Sequence, residues 1–137
     1  MNATRLPFVA VALVCASLGS YLALSSRGEA RLDRANADVL AGRNAEALAE
    51  LAGLDGETGL RAAALRGRAY RNSGRLEAAR REFQTAARRD PNNWVLQREY
   101  AGVLLTLGQR AKARARMSKA KALNPRMALA PGFVEPK

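Results

Sequence analysis

The sequence predicts an all-α chain: a short array of stacked helical hairpins following an N-terminal apolar helix. Three observations carry this. Leu60–Asn93 and Trp94–Met127 repeat each other at a spacing of 34 residues, and a fixed period in this range marks a stacked helical-repeat architecture. No alternating strand pattern occurs anywhere in the 137 residues. From Leu6 to Ser26 there is no charged residue, and Phe8, Val9, Val11, Leu13, Val14, Leu18, Leu22 and Leu24 dominate.

In chain order, the apolar segment comes first. Its 21 residues rise about 31 Å as a helix, enough to span a hydrocarbon core. It fits a retained membrane anchor or a cleaved secretory signal, and its length exceeds the apolar region typical of a signal, which favours the anchor. Small residues at Ala23 and Ser25, or Val14 and Ala16, leave cleavage open. Cys15, the single cysteine, permits no internal disulfide. Arg5 on one flank faces Arg27, Arg31 and Arg34 on the other, a weak lean toward a cytoplasmic repeat domain that leaves the side undecided.

A degenerate hairpin is expected next. Glu29–Ala41 reads as a helix, Gly42 as its stop and Asn44–Ala52 as a shorter helix, followed by the loop Gly53-Leu54-Asp55-Gly56. The two clear units share one logic. Gly74 and Gly108 stop the first helices, because glycine tolerates the left-handed conformation of a helix C-terminus. Asp90-Pro91 and Asn124-Pro125 end the second helices, because a residue before proline is pushed out of helical geometry. Asn92 or Asn93 caps the helix opening at Trp94. Small residues at Gly67, Ala79 and Ala86 mark close helix approach, with Tyr70, Leu76 and Phe83 filling the space between. The expected organisation is 1–27 anchor or uncleaved signal, 28–59 degenerate hairpin, repeats at 60–93 and 94–127, and a tail at 128–137. Pro131, Gly132 and Pro136 bar a long final helix. Met127, Leu129, Phe133 and Val134 are therefore expected to fold over Leu107, Met117 and Leu123 as an irregular cap.

Gly67, Tyr70, Gly74, Ala79, Phe83, Ala86 and Pro91 together resemble the tetratricopeptide repeat family, with a weaker second unit keeping Gly108, Ala113, Ala120 and Pro125. Ala63 and Arg66 depart from the tryptophan and leucine usual at the fourth and seventh positions. The resemblance implies a non-enzymatic adaptor whose first helices line a concave groove and whose second helices form the outer face. The groove positions would be Arg61, Ala64, Arg68 and Arg71, then Val95, Arg98, Gly102 and Leu105. Arg61, Arg68, Arg71 and Arg98 are thus the candidate peptide-binding residues, suited to an acidic protein segment because guanidinium groups pair bidentately with carboxylates. The lysine and asparagine pattern of the family's carboxylate-clamp members is absent, since Ala64 and Arg68 stand where it would begin.

Charge is uneven. Residues 26–59 carry four Arg against seven acidic groups, whereas residues 60–137 carry 18 Lys or Arg against five. Such a field attracts polyanions. Arg80, Arg81, Arg88 and Arg89, with Lys112, Arg114, Arg116, Lys119 and Lys121, fall on second helices, where a solvated outer face is the simplest reading. Nucleic acid or anionic lipid headgroups are the alternative polyanions; too few aromatics are free for base stacking to favour nucleic acid. Without histidine, and with its one cysteine in the apolar segment, the chain lacks the commonest general base and metal ligands; neither catalysis nor a cofactor is expected.

Overall fold

Three glycines set the topology. Gly42, Gly74 and Gly108 take φ of +76°, +72° and +74°, and each closes a helix in the same way. The Gly74 N–H donates to the Arg71 carbonyl at 3.0 Å and the Arg75 N–H to the Tyr70 carbonyl at 2.8 Å. The Gly108 and Gln109 N–H groups do the same to Leu105 and Leu104, each at 2.9 Å. This paired bonding satisfies the last carbonyls of a helix and reverses the chain within three residues.

The computed structural model describes residues 26–129 and 132–133. Within them run α1 (26–40), α2 (Asn44–Glu50), α3 (Gly56–Asn72), α4 (Leu76–Arg89), α5 (Trp94–Thr106) and α6 (Arg110–Leu123), with no strand among the described residues. They pair as the hairpins α1–α2, α3–α4 and α5–α6. The apolar segment from Leu6 lies outside the described residues; within them, no helix is long and apolar enough to cross a membrane.

The second helices stop where the sequence requires. Asp90 (φ −130°, ψ 80°) and Asn124 (φ −135°, ψ 87°) hold nearly the same extended conformation 34 residues apart, each before a proline. Asn93 is the cap of α5: its side-chain oxygen accepts from the N–H groups of Val95 and Leu96, and its amide donates to Asp90. Boundaries in the first unit and its loop differ from expectation: α1 covers 26–40 rather than Glu29–Ala41, α2 ends at Glu50 rather than Ala52, and α3 starts at Gly56 rather than Leu60, which adds a turn of helix.

Packing explains the small residues. A Cβ placed on Gly67 would lie 3.0 Å from three ring atoms of Phe83, which is fully buried. α3 and α4 therefore touch ring against backbone. Ala63, Ala86 and Leu96 join α3, α4 and α5, while Ala79, Phe83, Tyr100, Val103, Leu104 and Ala113 carry the core into the last hairpin. Leu32, Ala35, Leu51, Ala62 and Leu65 form the core of the first hairpin against α3.

Arg66, one of the departures from the repeat pattern, and Gln97, which stands in the second unit where Ala63 stands in the first, acquire structural roles. Arg66 reaches the Leu51 carbonyl at 3.1 Å and Glu82 at 3.0 Å, tying α3 to the end of α2 and to α4. At the fourth position of the second unit, Gln97 is fully buried; it donates to the Pro91 carbonyl at 3.0 Å and accepts from Arg116 at 3.2 Å. Arg31 and Arg34, counted above as membrane-flanking charges, bind the end of α2. Arg31 donates to the Ala52 carbonyl, and Arg34 grips Glu50 with two hydrogen bonds.

The tail folds back in part as expected. Met127 is buried with Ala101, Met117 and Ala120, and Phe133 packs against the core, half-buried. Leu129 does not join them: it stays 39% exposed, and Leu123 stays 38% exposed. Val134 lies outside the described residues.

Two glycine substitutions should act in opposite directions. Gly67→Ala should lower stability by about 1–3 kcal/mol because its methyl overpacks Phe83. At Gly102 a Cβ meets nothing, so Gly102→Ala should raise stability by up to ~1 kcal/mol through helix propensity. Urea denaturation of the two variants checks both signs. The Arg34 hydrogen bonds hold the Glu50 carboxyl below its ordinary value. A lowered folded-state pKa contributes stability that is present above the unfolded value and lost as pH falls through the folded one. Glu50→Gln should accordingly flatten the acid limb of the stability–pH curve.

Candidate functional site

The first helices of the hairpins share one side of the array, and two cavities open there. The first, about 390 Å³, is lined by Asn36 of α1, by Arg61, Ala64 and Arg68 of α3, and by Asn93 and Val95 at the start of α5. The second, about 430 Å³, is lined by Arg71 of α3, by Arg98, Glu99 and Gly102 of α5, by Met117 of α6, and by Ala128, Leu129 and Phe133 of the tail. The four sequence-derived arginines are therefore divided, with Arg61 and Arg68 in one cavity and Arg71 and Arg98 in the other.

Their electrostatic states differ more than their positions. Arg68 donates from Nε to both carboxylate oxygens of Glu99, at 2.9 and 3.1 Å. The pair is part-buried and stands between the cavities, since Arg68 lines the first and Glu99 the second. Arg61 is paired with Glu29 and lies 3.8 Å from Asp33, so it is engaged with α1. Arg71 and Arg98 make no ion pair among the described residues. Arg98 lies over the Trp94 ring, its guanidinium carbon 5.1 Å from the centroid, which holds the side chain in place and leaves its donors free. Arg71 is half-buried.

Two cations beside the apolar walls of Met117, Leu129 and Phe133 can receive a carboxylate that carries an apolar neighbour. Gly102 keeps the floor open, since a Cβ placed there would meet nothing within 4 Å. Sequence reasoning missed Glu99 as a partner. Its signal was an acidic residue on the second unit's first helix, about one repeat beyond Arg68. It also missed the tail as a wall of the second cavity.

Residues 70–130 match the family model of the tetratricopeptide repeat. The chain carries a tetratricopeptide repeat. The match runs from Tyr70 in α3 through α6 and into the tail, the part where the glycine and proline positions recur at 34 residues. Among curated proteins, none matches the chain. Tetratricopeptide repeats are scaffolds for protein interaction, and residues of the first helices α1, α3 and α5 together line one cavity of the array.

The Arg68–Glu99 bridge couples adjacent hairpins of the repeat array. A double-mutant cycle of Arg68→Ala and Glu99→Ala, read by urea denaturation, should return a coupling of about 1 kcal/mol, as for a well-aligned, partly exposed pair. Simple additivity would show that the bridge holds nothing.

Proposed function

We propose that the protein is a non-enzymatic adaptor that takes an acidic segment of a protein partner on the side formed by its first helices. The tetratricopeptide repeat supports the general role. One observation carries the finer reading: Arg71 and Arg98 face one cavity with apolar walls, and neither is neutralised by a carboxylate of the described chain. Glu99, the only acidic group among the described residues lining that cavity, is already held by Arg68. Arg61 and Arg68 serve the array itself, which narrows the four candidate arginines to two.

The adaptor is held at a membrane by the uncharged segment from Leu6 to Ser26, which is long enough to span a bilayer. A reporter fused after Lys137 and the mass of the mature chain test this. A chain that keeps its first 25 or so residues supports the anchor, and one that loses them makes the protein an exported repeat module.

The groove is tested with a fluorescent peptide of alternating glutamate and leucine, followed by anisotropy. Arg71→Glu with Arg98→Glu should weaken binding on the order of a hundredfold, because two charge-assisted contacts become repulsive. Arg81→Glu with Arg88→Glu, an equal change of charge on α4, should leave it within a few-fold. Equal losses from both pairs would show attraction to bulk charge in place of a groove.

A further inference from the structure

Helix α6 differs from its counterpart α4 in one respect that matters for what can lie against it. In the 34-residue register, Glu77 and Glu82 of α4 are replaced by Ala111 and Arg116. Glu77 holds Arg80 at 2.7 Å and Glu82 holds Arg66 at 3.0 Å, so α4 carries its own counter-charges. α6 has none, and from Tyr100 to Val134 the sequence contains no acidic residue at all. With Ala113, Met117 and Ala120 buried, the exposed ridge of α6 is Ala111, Ala115, Ser118 and Ala122. At about 100° per residue, Arg110, Arg114 and Lys121 fall on one flank of this ridge and Lys112, Arg116 and Lys119 on the other. Arg116 is tied to Gln97 and Lys121 to the Met127 carbonyl. Arg110, Lys112, Arg114 and Lys119 are exposed and make no ion pair with the described residues.

We propose that the outer face of α6 is a docking surface for an anionic bilayer, separate from the cavities between the first helices. A ridge of methyl and hydroxyl groups lets the helix lie flat, and the two cationic flanks reach lipid phosphates and carboxylates on either side. Leu123 stands exposed on the same flank of α6 as Lys112 and Lys119, and a leucine next to cations suits the boundary between headgroups and acyl chains. Nucleic acid fits less well. That leucine gains nothing against a phosphate backbone, while Tyr100 is buried, Trp94 lies under Arg98 and Tyr70 under Arg75, so base stacking has no platform there.

The full chain, with Cys15→Ser and a nitroxide at Ser118→Cys, is reconstituted in phosphatidylcholine vesicles with and without phosphatidylserine, so any holding by the N-terminal segment is common to both. The label should be shielded from an aqueous relaxation agent only when phosphatidylserine is present, and high salt should reverse the shielding because surface charge acts within about a Debye length. Lys112→Glu and Lys119→Glu should each reduce the shielded population by on the order of tenfold or more. Lys112→Gln with Lys119→Gln, which leaves the fold less perturbed, should reduce it as well. Arg71→Glu with Arg98→Glu, a larger change of charge placed in the groove, should not, which separates this surface from the peptide site. Equal accessibility in the two kinds of vesicle overturns the proposal. So does a label that ignores lipid composition and is shielded by a short DNA duplex.

Discussion

The contact between the Gly67 backbone and the Phe83 ring is the constraint on which the rest of the array depends. A helix pair can close to this distance only where one partner has no side chain, and alanines at 63, 79, 86, 101, 113 and 120 continue the same economy of volume through the core. Such thin interfaces let the first helices gather on one side and the second helices on the other. A larger residue at the crossing would splay α3 from α4 and shift α5, which rests on both. The two cavities follow from that spacing, because they occupy what the first helices leave open.

Charge is then sorted by what the packing brings into reach. The chain carries a formal net charge of +11, yet its arginines are not equivalent. Arg31 and Arg34 tie α1 to the end of α2 within the first hairpin, while Arg61, Arg66 and Arg68 lie where neighbouring hairpins meet, and each finds a carboxylate or a carbonyl there. The last three hold one hairpin against the next. Arg71, Arg98 and the exposed cations of α6 lie beyond the reach of the described carboxylates, so their field is directed outward. The acidic first hairpin and the basic last one thus leave one stretch of surface internally neutralised and another available to partners.

Much of this was legible in the residues. The stops at Gly42, Gly74 and Gly108 and the breaks before Pro91 and Pro125 are local backbone rules, and each sits where those rules place it. The start of α3 was not legible, because Gly53-Leu54-Asp55-Gly56 reads as loop and the repeat register opens its unit at Leu60, while in the fold the segment continues a helix whose other turns are already packed. The groove positions followed from the repeat register, since register fixes which face of a helix a residue occupies. Which carboxylate a long side chain reaches on that face depends on the spacing and tilt of the next helix, and so the register places Arg68 in the groove without showing Glu99 beside it. The tail shows the same division. Pro131 and Gly132 excluded a helix, but the choice of Met127 over Leu129 as the buried residue depends on the path of the chain across α6.

On the proposed reading, two outward-facing cationic surfaces serve separate partners. An isotope-labelled sample titrated with an acidic peptide, followed by NMR, tests this most directly. The expected perturbations are at the Arg71 and Arg98 side-chain N–H groups and the Gly102 amide, with Ala111, Ala115 and Ser118 on α6 unchanged. Shifts centred on α6, or spread over every exposed cation, would contradict it and make the surface a single undirected basic field.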